Sequence, residues 1–436
     1  PIRNPHSTIR INLWDFGGQE IYHATHQFFL THRSLYVLVV DARQDDEANR
    51  LAYWLQLIAS FGGDSPVLLV VNKIDQGRRK LAERELYAQY PNLRGILYTS
   101  CTTGEGIGEL RHALAQTIAT MPHVNDQIPT RWMAVKNKLA GLGKDFISYD
   151  KFEELCEAEE ITHPATRATL AKLLHDLGSA LHFAEESNLA GTHILQPDWV
   201  THGIYNLLNA PDLQAKGVLP LGMVGHILDR TRYPFHKHEF LLEIMEKFEL
   251  CFRLPEHKTW LIPTLLPPDR PDFAWPAASQ PAFQLHYAIL LPSIIGRLMV
   301  RLHQHTWQGV RWRDGFVLAR EGARAQVRAI RTQNRIAIWL DGDPAQRRSL
   351  LTLIRAQLDE IHASFAKLEV EAFVPIPNHA PHVIKYEALV RLAERGDATP
   401  FPQCGCKIDV FALLDAVKPP SSGLEIALAP AVDGRI

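Results

Sequence analysis

Cysteine and methionine are both scarce in this chain, with five of each in 436 residues. The cysteines stand at 101, 156, 251, 404 and 406, odd in number and scattered, which excludes a disulfide framework. Cys404 and Cys406 form a C-x-C pair with His379 and His382 as distant companions. The second ligand pair that a tetrahedral metal site requires is lacking, so buried or surface thiols are expected there. The 21 histidines include no H-E-x-x-H spacing, which leaves metal hydrolysis without support. No apolar run approaches the roughly 18 residues that span a bilayer, and the first residues carry no signal-peptide pattern, so a cytoplasmic setting is expected. Nor is either sign of charge in excess: 46 Lys and Arg against 48 Asp and Glu give a net −2, no electrostatic footprint for nucleic acid or an anionic membrane. A last absence is G-x-x-x-x-G-K-[ST], the loop whose amides, lysine and hydroxyl hold β- and γ-phosphates and Mg2+.

What is present is ordinary for a globular protein: 46% hydrophobic and 22% charged residues, in a length that suits about three domains. Residues 8–14, TIRINLW, alternate in the manner of a half-buried strand, with Ile9, Ile11 and Leu13 on one side. The strand is expected to end at Asp15, where a carboxylate can hold a divalent cation directly or through water. Gly17 and Gly18 follow, able to approach a bulky group or take positive φ, and then Gln19. A lone D-x-x-G is also an ordinary turn before a helix, and by itself it decides nothing.

Residues 34–41 (SLYVLVVD) and 67–71 (VLLVV) are continuous apolar, β-branched runs of the kind a strand buried on both faces requires. Directly after the second run comes Asn72-Lys73-Ile74-Asp75. In such a loop the Asp carboxylate can accept guanine N1–H and N2–H together, a charge-assisted pair that adenine cannot reciprocate. The Asn can tether neighbouring loops and the Lys stem can lie along the base. A third short strand ends at Ser100-Cys101-Thr102, a small polar loop suited to donating a backbone N–H to guanine O6. Helical segments over 46–61 and 106–120 alternate with these strands. The order describes a parallel α/β sheet that binds its ligand, a guanine nucleotide, at the carboxyl ends of its strands.

D-F-G-G-Q-E, N-K-I-D and the S-C-T loop resemble the third, fourth and fifth signature loops of small Ras-like GTPases. I-Y-H-A-T-H-Q-F-F-L-T and F-G-G-D-S-P-V-L-L-V-V-N-K-I-D resemble the Roc domain of the Roco family. The rest of the chain resembles the COR domain that follows Roc, through LQPDWVT (195–201), FELCF (248–252), WLIP (260–263) and LPSII (291–295). The resemblance implies a GTP-binding and GTP-hydrolysing switch that takes GTP or GDP with Mg2+. Asp15 would serve the Mg2+ shell and Gly18 the γ-phosphate, while Asn72, Lys73, Asp75, Ser100 and Cys101 would hold guanine and Gln19 would orient the attacking water. Arg43 is a candidate source of positive charge at the transition state, or else a surface partner of Asp45 or Asp46. The missing phosphate loop is the departure. It leads to the expectation that an upstream segment with the central strand, phosphate loop and first switch completes the domain, and that without it nucleotide binding is weak.

Domain organisation follows from composition. Residues 1–122 read as the Roc domain lacking its first strand, 123–130 as a linker, 131–268 as a winged-helix-like COR half, 269–281 as a Pro-rich linker and 282–436 as a second COR half. In the first half a capped helix begins near Ile147 and another places Leu170, Leu173, Leu174 and Leu177 on one face. Strands at 180–183 and 192–195 are expected to complete a wing. Its helix mixes His163, Arg167, Lys172 and His175 with nearby acids, which disfavours DNA binding. The second half reads as strands at 311–321, 324–332 and 335–340 with a long helix over 347–365, leaving one sheet face uncovered. That face is solvated or a two-fold contact, and the resemblance implies the latter: homodimerisation through COR, coupling nucleotide state to flanking repeat or kinase domains. A dimerisation scaffold with little hydrolysis is the alternative.

Overall fold

The computed structural model describes residues 11–15, 33–44, 50–77, 80–180, 194–214, 216–256, 258–276, 280–365, 368–377, 381–395 and 409–417. The chain divides into two compact units, one of residues 1–268 with 291–300 and 363–369, the other of 269–290, 301–362 and 370–436.

The first unit begins with a parallel sheet of β1 (Tyr36–Asp41), β2 (Val67–Asn72) and β3 (Leu93–Thr99), in that spatial order. β2 is apolar throughout because it is central, and residues 67 to 71 are all buried. Helices α1 (Leu51–Gly62), α2 (Glu83–Gln89) and α3 (Ile107–Thr120) alternate with the strands. Leu51, Leu55 and Ile58 of α1 pack on Val40, Leu69 and Val71. On the other side of the sheet Leu68 and Val70 are buried, but their register neighbours Val37 and Val39 are 40% and 58% exposed. Burial on that side is therefore complete at β2 and incomplete at β1.

The strand expected over residues 8–14 is not formed in its described part. Residues 11–15 carry no regular structure, and Leu13 is 90% exposed. Asn12 Nδ2 instead donates to the Leu177 carbonyl at 2.8 Å, and the Trp14 ring lies over Gly178. Alternation fixes a strand only where a neighbouring ladder is there to receive it. In the described sheet β1 pairs with β2 alone.

Further along the same unit, α4 (Thr130–Gly141), α5 (Tyr149–Glu157) and α6 (Pro164–Asp176) enclose Val135, Phe152, Cys156, Leu170, Ala171 and Leu174. Ser148 caps α5 by accepting from the Lys151 amide at 3.2 Å. β4 (Phe146–Ile147) pairs antiparallel with β5 (Ile194–Leu195). The wing expected between residues 180–183 and 192–195 falls largely on 181–193, outside the described residues. Arg167, a basic group on the second helix by sequence, is buried and commits its guanidinium to Glu153, Glu157 and the Ile161 carbonyl. Burial pushes the Cys156 thiol up to about 11, an inert core sulfur. A second cluster centred on Trp199, Ile204, Leu241, Met245 and Trp260 joins α7 (Pro197–Leu208), α8 (Leu221–Ile227) and α9 (His238–Lys247). They pack with a small sheet ordered β6 (Val218–Pro220), β8 (Thr259–Leu261), β7 (Phe252–Arg253). Residues 291–300, most of α10 (Pro292–Arg301), belong to this unit as well, and Arg297 pairs with Glu249.

The second unit is a seven-stranded antiparallel sheet. Its order is β10 (Thr306–Trp312), β11 (Gly315–Arg320), β12 (Ala323–Ile330), β13 (Arg335–Asp341), β9 (Phe283–Tyr287), β14 (Val370–Pro375), β15 (Val383–Lys385). The single strand expected over 311–321 is a hairpin, turned at Arg313 and Asp314. α11 (Pro344–Ala363) buries Leu350, Leu351, Ile354, Leu358 and Ile361. The opposite face, expected to be uncovered, is partly strapped by residues of the Pro-rich stretch. Arg270 donates to the buried Gln326 at 3.3 Å and stacks on Phe273 at 4.0 Å, and Arg324 lies between Trp275 and Trp307 at 5.5 and 5.0 Å.

Arg355 of α11 joins four elements of this unit. Its guanidinium lies 4.6 Å from the Phe283 ring and 4.5 Å from that of Tyr386, the first residue of α12 (Tyr386–Arg395). Its Nη1 donates to the Val417 carbonyl at 2.9 Å, closing α13 (Val410–Val417). Arg355→Ala is expected to cost about 2 kcal/mol from the lost stacking and charge-assisted bond. Hydrogen exchange should then show α13 losing protection before the sheet does.

Candidate functional site

The carboxyl ends of β1, β2 and β3 fall in one register row, Asp41 beside Asn72 beside Thr99. Parallel pairing dictates this, and it gathers three loops at one edge of the sheet. Two backbone bonds prolong the ladder past the strands, from the Ala42 amide to the Asn72 carbonyl at 2.9 Å and from Ile74 to Thr99 at 3.2 Å.

Asn72 stitches the second loop to the third. Its Oδ1 accepts from the Cys101 amide at 3.2 Å and from the Thr99 hydroxyl at 3.3 Å. Ser100 is fully buried, and its Oγ accepts from the Thr103 amide at 3.2 Å. A hydrogen bond from Ser100 is the largest influence holding the exposed Asp75 carboxyl below its ordinary range, followed among the favourable ones by its own backbone, Gln76 and the charge of Arg43. Asp75 is thus an ionised, solvent-exposed carboxylate in this loop. The Cys101 amide is committed to Asn72 and the Ser100 amide to the Glu105 carbonyl at 2.9 Å. Among the described residues the Thr102 amide has no acceptor, so between residues 100 and 105 it is a backbone donor open to a ligand.

Asp41, assigned no role from sequence, has the most perturbed environment of the site. It accepts from the Arg43 amide at 3.0 Å, from Arg43 Nε and Nη2 at 2.9 and 2.6 Å, and from Lys73 Nζ at 2.8 Å. Arg43 first and Lys73 second hold this carboxyl far below the usual range. Arg43 Nη1 also donates to Gln76 Oε1 at 3.1 Å. The guanidinium is therefore on Asp41; the expected surface partners Asp45 and Asp46 lie outside the described residues, as do Gly18 and Gln19. Asp15 is described and exposed, its neighbours Asn12 and Trp14 resting at Leu177 and Gly178. Among the described residues no three His, Cys, Asp or Glu side chains converge as a metal ligand set. Asp15 alone is too few oxygens for a magnesium site, which needs several carboxylates, phosphates or waters.

The sequence signal for Asp41 is its place in the register row: it ends one buried run as Asn72 ends the next. The pairing with Lys73 is hidden in the sequence because it needs Lys73 to take a left-handed φ of 66°, which turns the side chain toward β1.

The third loop depends on one glycine. Gly106 has φ +73°, and a Cβ there would stand 2.0 Å from the Tyr98 carbonyl oxygen. Neither the backbone of β3 nor the left-handed turn can yield cheaply. Gly106→Ala should destabilise the first unit by roughly 3 kcal/mol in urea unfolding and loosen the Ser100 loop.

Three family models match the chain: Ras of Complex, Roc, domain of DAPkinase over residues 2–75, C-terminal of Roc, COR-A domain over 129–266, and C-terminal of Roc, COR-B domain over 279–416. A probable serine/threonine-protein kinase, pats1, of Dictyostelium discoideum is 28% identical over 397 residues, covering 84% of this chain and 12% of that protein. A Roc-COR-CHAT protease of Runella zeae is 27% identical over 327 residues, 72% of this chain and 35% of that one. The chain thus spans a minor part of the curated relatives it matches. Among solved structures, Methanosarcina barkeri Roco2 RocCORdC bound to GDP is 39% identical, covers 61% of this chain and 83% of its own, and superposes with a TM-score of 0.52.

Proposed function

Because the chain belongs to the Roco family, carrying its Roc, COR-A and COR-B domains, we propose that in the intact protein it binds and hydrolyses GTP as a molecular switch and that its COR part forms a homodimer. The observation that carries the nucleotide reading is the Asp75 carboxylate, exposed and held below its ordinary range by a buried serine, beside a loop stitched through Asn72. A guanine entering there offers N1–H and N2–H to Asp75 and O6 to the free amide of the Ser100 loop. Adenine offers the reverse pattern of donors and acceptors and is rejected.

The chain's residues divide the remaining work. The Lys73 stem lies along the base plane and Asn72 keeps two loops together. Gln19 orients the attacking water, and Arg43 supplies charge to the departing phosphoryl oxygens after exchanging Asp41 for them. A magnesium ion would neutralise phosphate charge with Asp15 as one oxygen donor; the described residues do not complete its shell, and none of these four residues acts through it. GDP in the Methanosarcina relative supports the nucleotide class, and kinase and protease names among the relatives support a switch placed inside longer signalling chains.

Asp75→Ala in the full-length protein should abolish the preference for GDP over ADP, a loss of roughly a hundredfold or more, read by competition with a fluorescent nucleotide. An unchanged preference removes the reading. For the COR part, light scattering should give twice the chain mass with GDP or with a non-hydrolysable GTP analogue bound. A monomer in both states removes the dimer.

A further inference from the structure

We propose that Asp41 is a positioning residue of the guanine site, fixing Lys73 directly and the turn that presents Asp75 through Arg43 and Gln76. The inference rests on the guanine-binding reading of Asp75. Two bridges run from the end of β1 to the loop after β2. One is Asp41 to Lys73 at 2.8 Å, the other Arg43 to Gln76 at 3.1 Å. Their landing points, residues 73 and 76, flank Asp75, and the Gln76 amide closes the turn on the Lys73 carbonyl at 2.9 Å. Asp41 is the root of both bridges, because Arg43 is itself oriented by three donations to that carboxylate.

Lys73 would not stay there unaided. Its left-handed backbone is disfavoured for a residue with a side chain, and a lysine stem has four freely rotating bonds. Anchoring Nζ on Asp41 fixes the stem at both ends, which lets it serve as a flat apolar support for a base. The Arg43 and Lys73 side chains are 46% and 43% exposed, so solvent screening limits what these ion pairs contribute to the fold. The Asp41 carboxylate is only 16% exposed and accepts four donor groups.

Two consequences of neutralising Asp41 oppose each other. A nucleoside diphosphate is an anion, so a carboxylate acting through its charge alone repels it, and Asp41→Asn would tighten binding. A carboxylate acting by position does the reverse. The experiment measures affinities of the full-length protein for GDP and for IDP, which lacks the exocyclic amine read by Asp75. Asp41→Asn is expected to weaken GDP by on the order of tenfold and to shrink the GDP-to-IDP ratio, with Asp41→Glu recovering part of both. Asp41→Asn combined with Lys73→Met should lose less than the product of the single losses, because the two residues act as one unit. Unfolding of each nucleotide-free variant separates loss of the site from loss of the fold. Should Asp41→Asn fail to fold, Gln76→Ala, which removes the second bridge together with the hydrogen bond from Gln76 to Asp75, is expected to weaken GDP about threefold with a reduced GDP-to-IDP ratio. Tighter or unchanged GDP binding in Asp41→Asn, or an unchanged ratio in whichever variant folds, overturns the proposal while Asp75→Ala still abolishes the GDP preference. A wild-type protein without preference for GDP over ADP overturns the guanine reading and this one together.

Discussion

The parallel register that ends β1, β2 and β3 on one row is the constraint from which the site follows. Asp41, Asn72 and Thr99 are brought abreast by backbone pairing, and the side-chain contacts that join one loop to the next cross that row. A slip of one residue in β2 would turn Asn72 to the opposite face of the sheet and carry Val71 into its place. The slip is resisted at the start of the strand. It would bring Pro66, which has no N–H, to the place where the Val67 amide donates to the Asn92 carbonyl at 3.0 Å. Backbone pairing thus holds the register, and the register sets the side-chain chemistry.

Within that frame the two carboxylates of the site are in opposite conditions. Asp41 is saturated by Arg43 and Lys73, whereas Asp75 has one serine as its principal donor and stands exposed. Both stay ionised near neutrality, but for different reasons and to different ends. A saturated carboxylate has no lone pairs left for a ligand and can only organise its neighbours. An exposed carboxylate that is not saturated retains acceptor capacity, so it is the one able to read two N–H groups on a base edge.

The legible parts of the molecule are those where a single physical demand dominates. β2 is readable because a strand buried on both faces has to be apolar at every position, and the N-K-I-D loop because it follows directly. Residues 8–14 read as a strand without forming one in their described part, because alternation states a preference that only a neighbouring ladder can realise. The hairpin of β10 and β11 reads as one strand although Asp314-Gly315 is a turn signal; apolar and Arg-rich residues run on both sides of it and mask the break. β9, β14 and β15 escape notice because prolines border them, and the strap over residues 269–276 reads as a linker for the same reason. Proline excludes helix and central strand, yet leaves Arg270, Phe273 and Trp275 free to stack on a sheet.

Under the proposed guanine-nucleotide reading, Arg43 would tie the base-reading end of the site to the phosphoryl-transfer end. Its guanidinium makes two donations to Asp41 and one to Gln76, so it cannot approach a phosphate without surrendering them. Solvent screening at a half-exposed arginine weakens each of these bonds, so the exchange is open to a stronger anion. The exchange is favourable only if a phosphoryl oxygen offers more charge than the carboxylate it replaces, a condition met by the transition state and its spread of negative charge more fully than by a bound diphosphate. On that proposed reading an arginine parked in this way would donate late in the reaction, and while it is parked it braces the turn that carries Asp75.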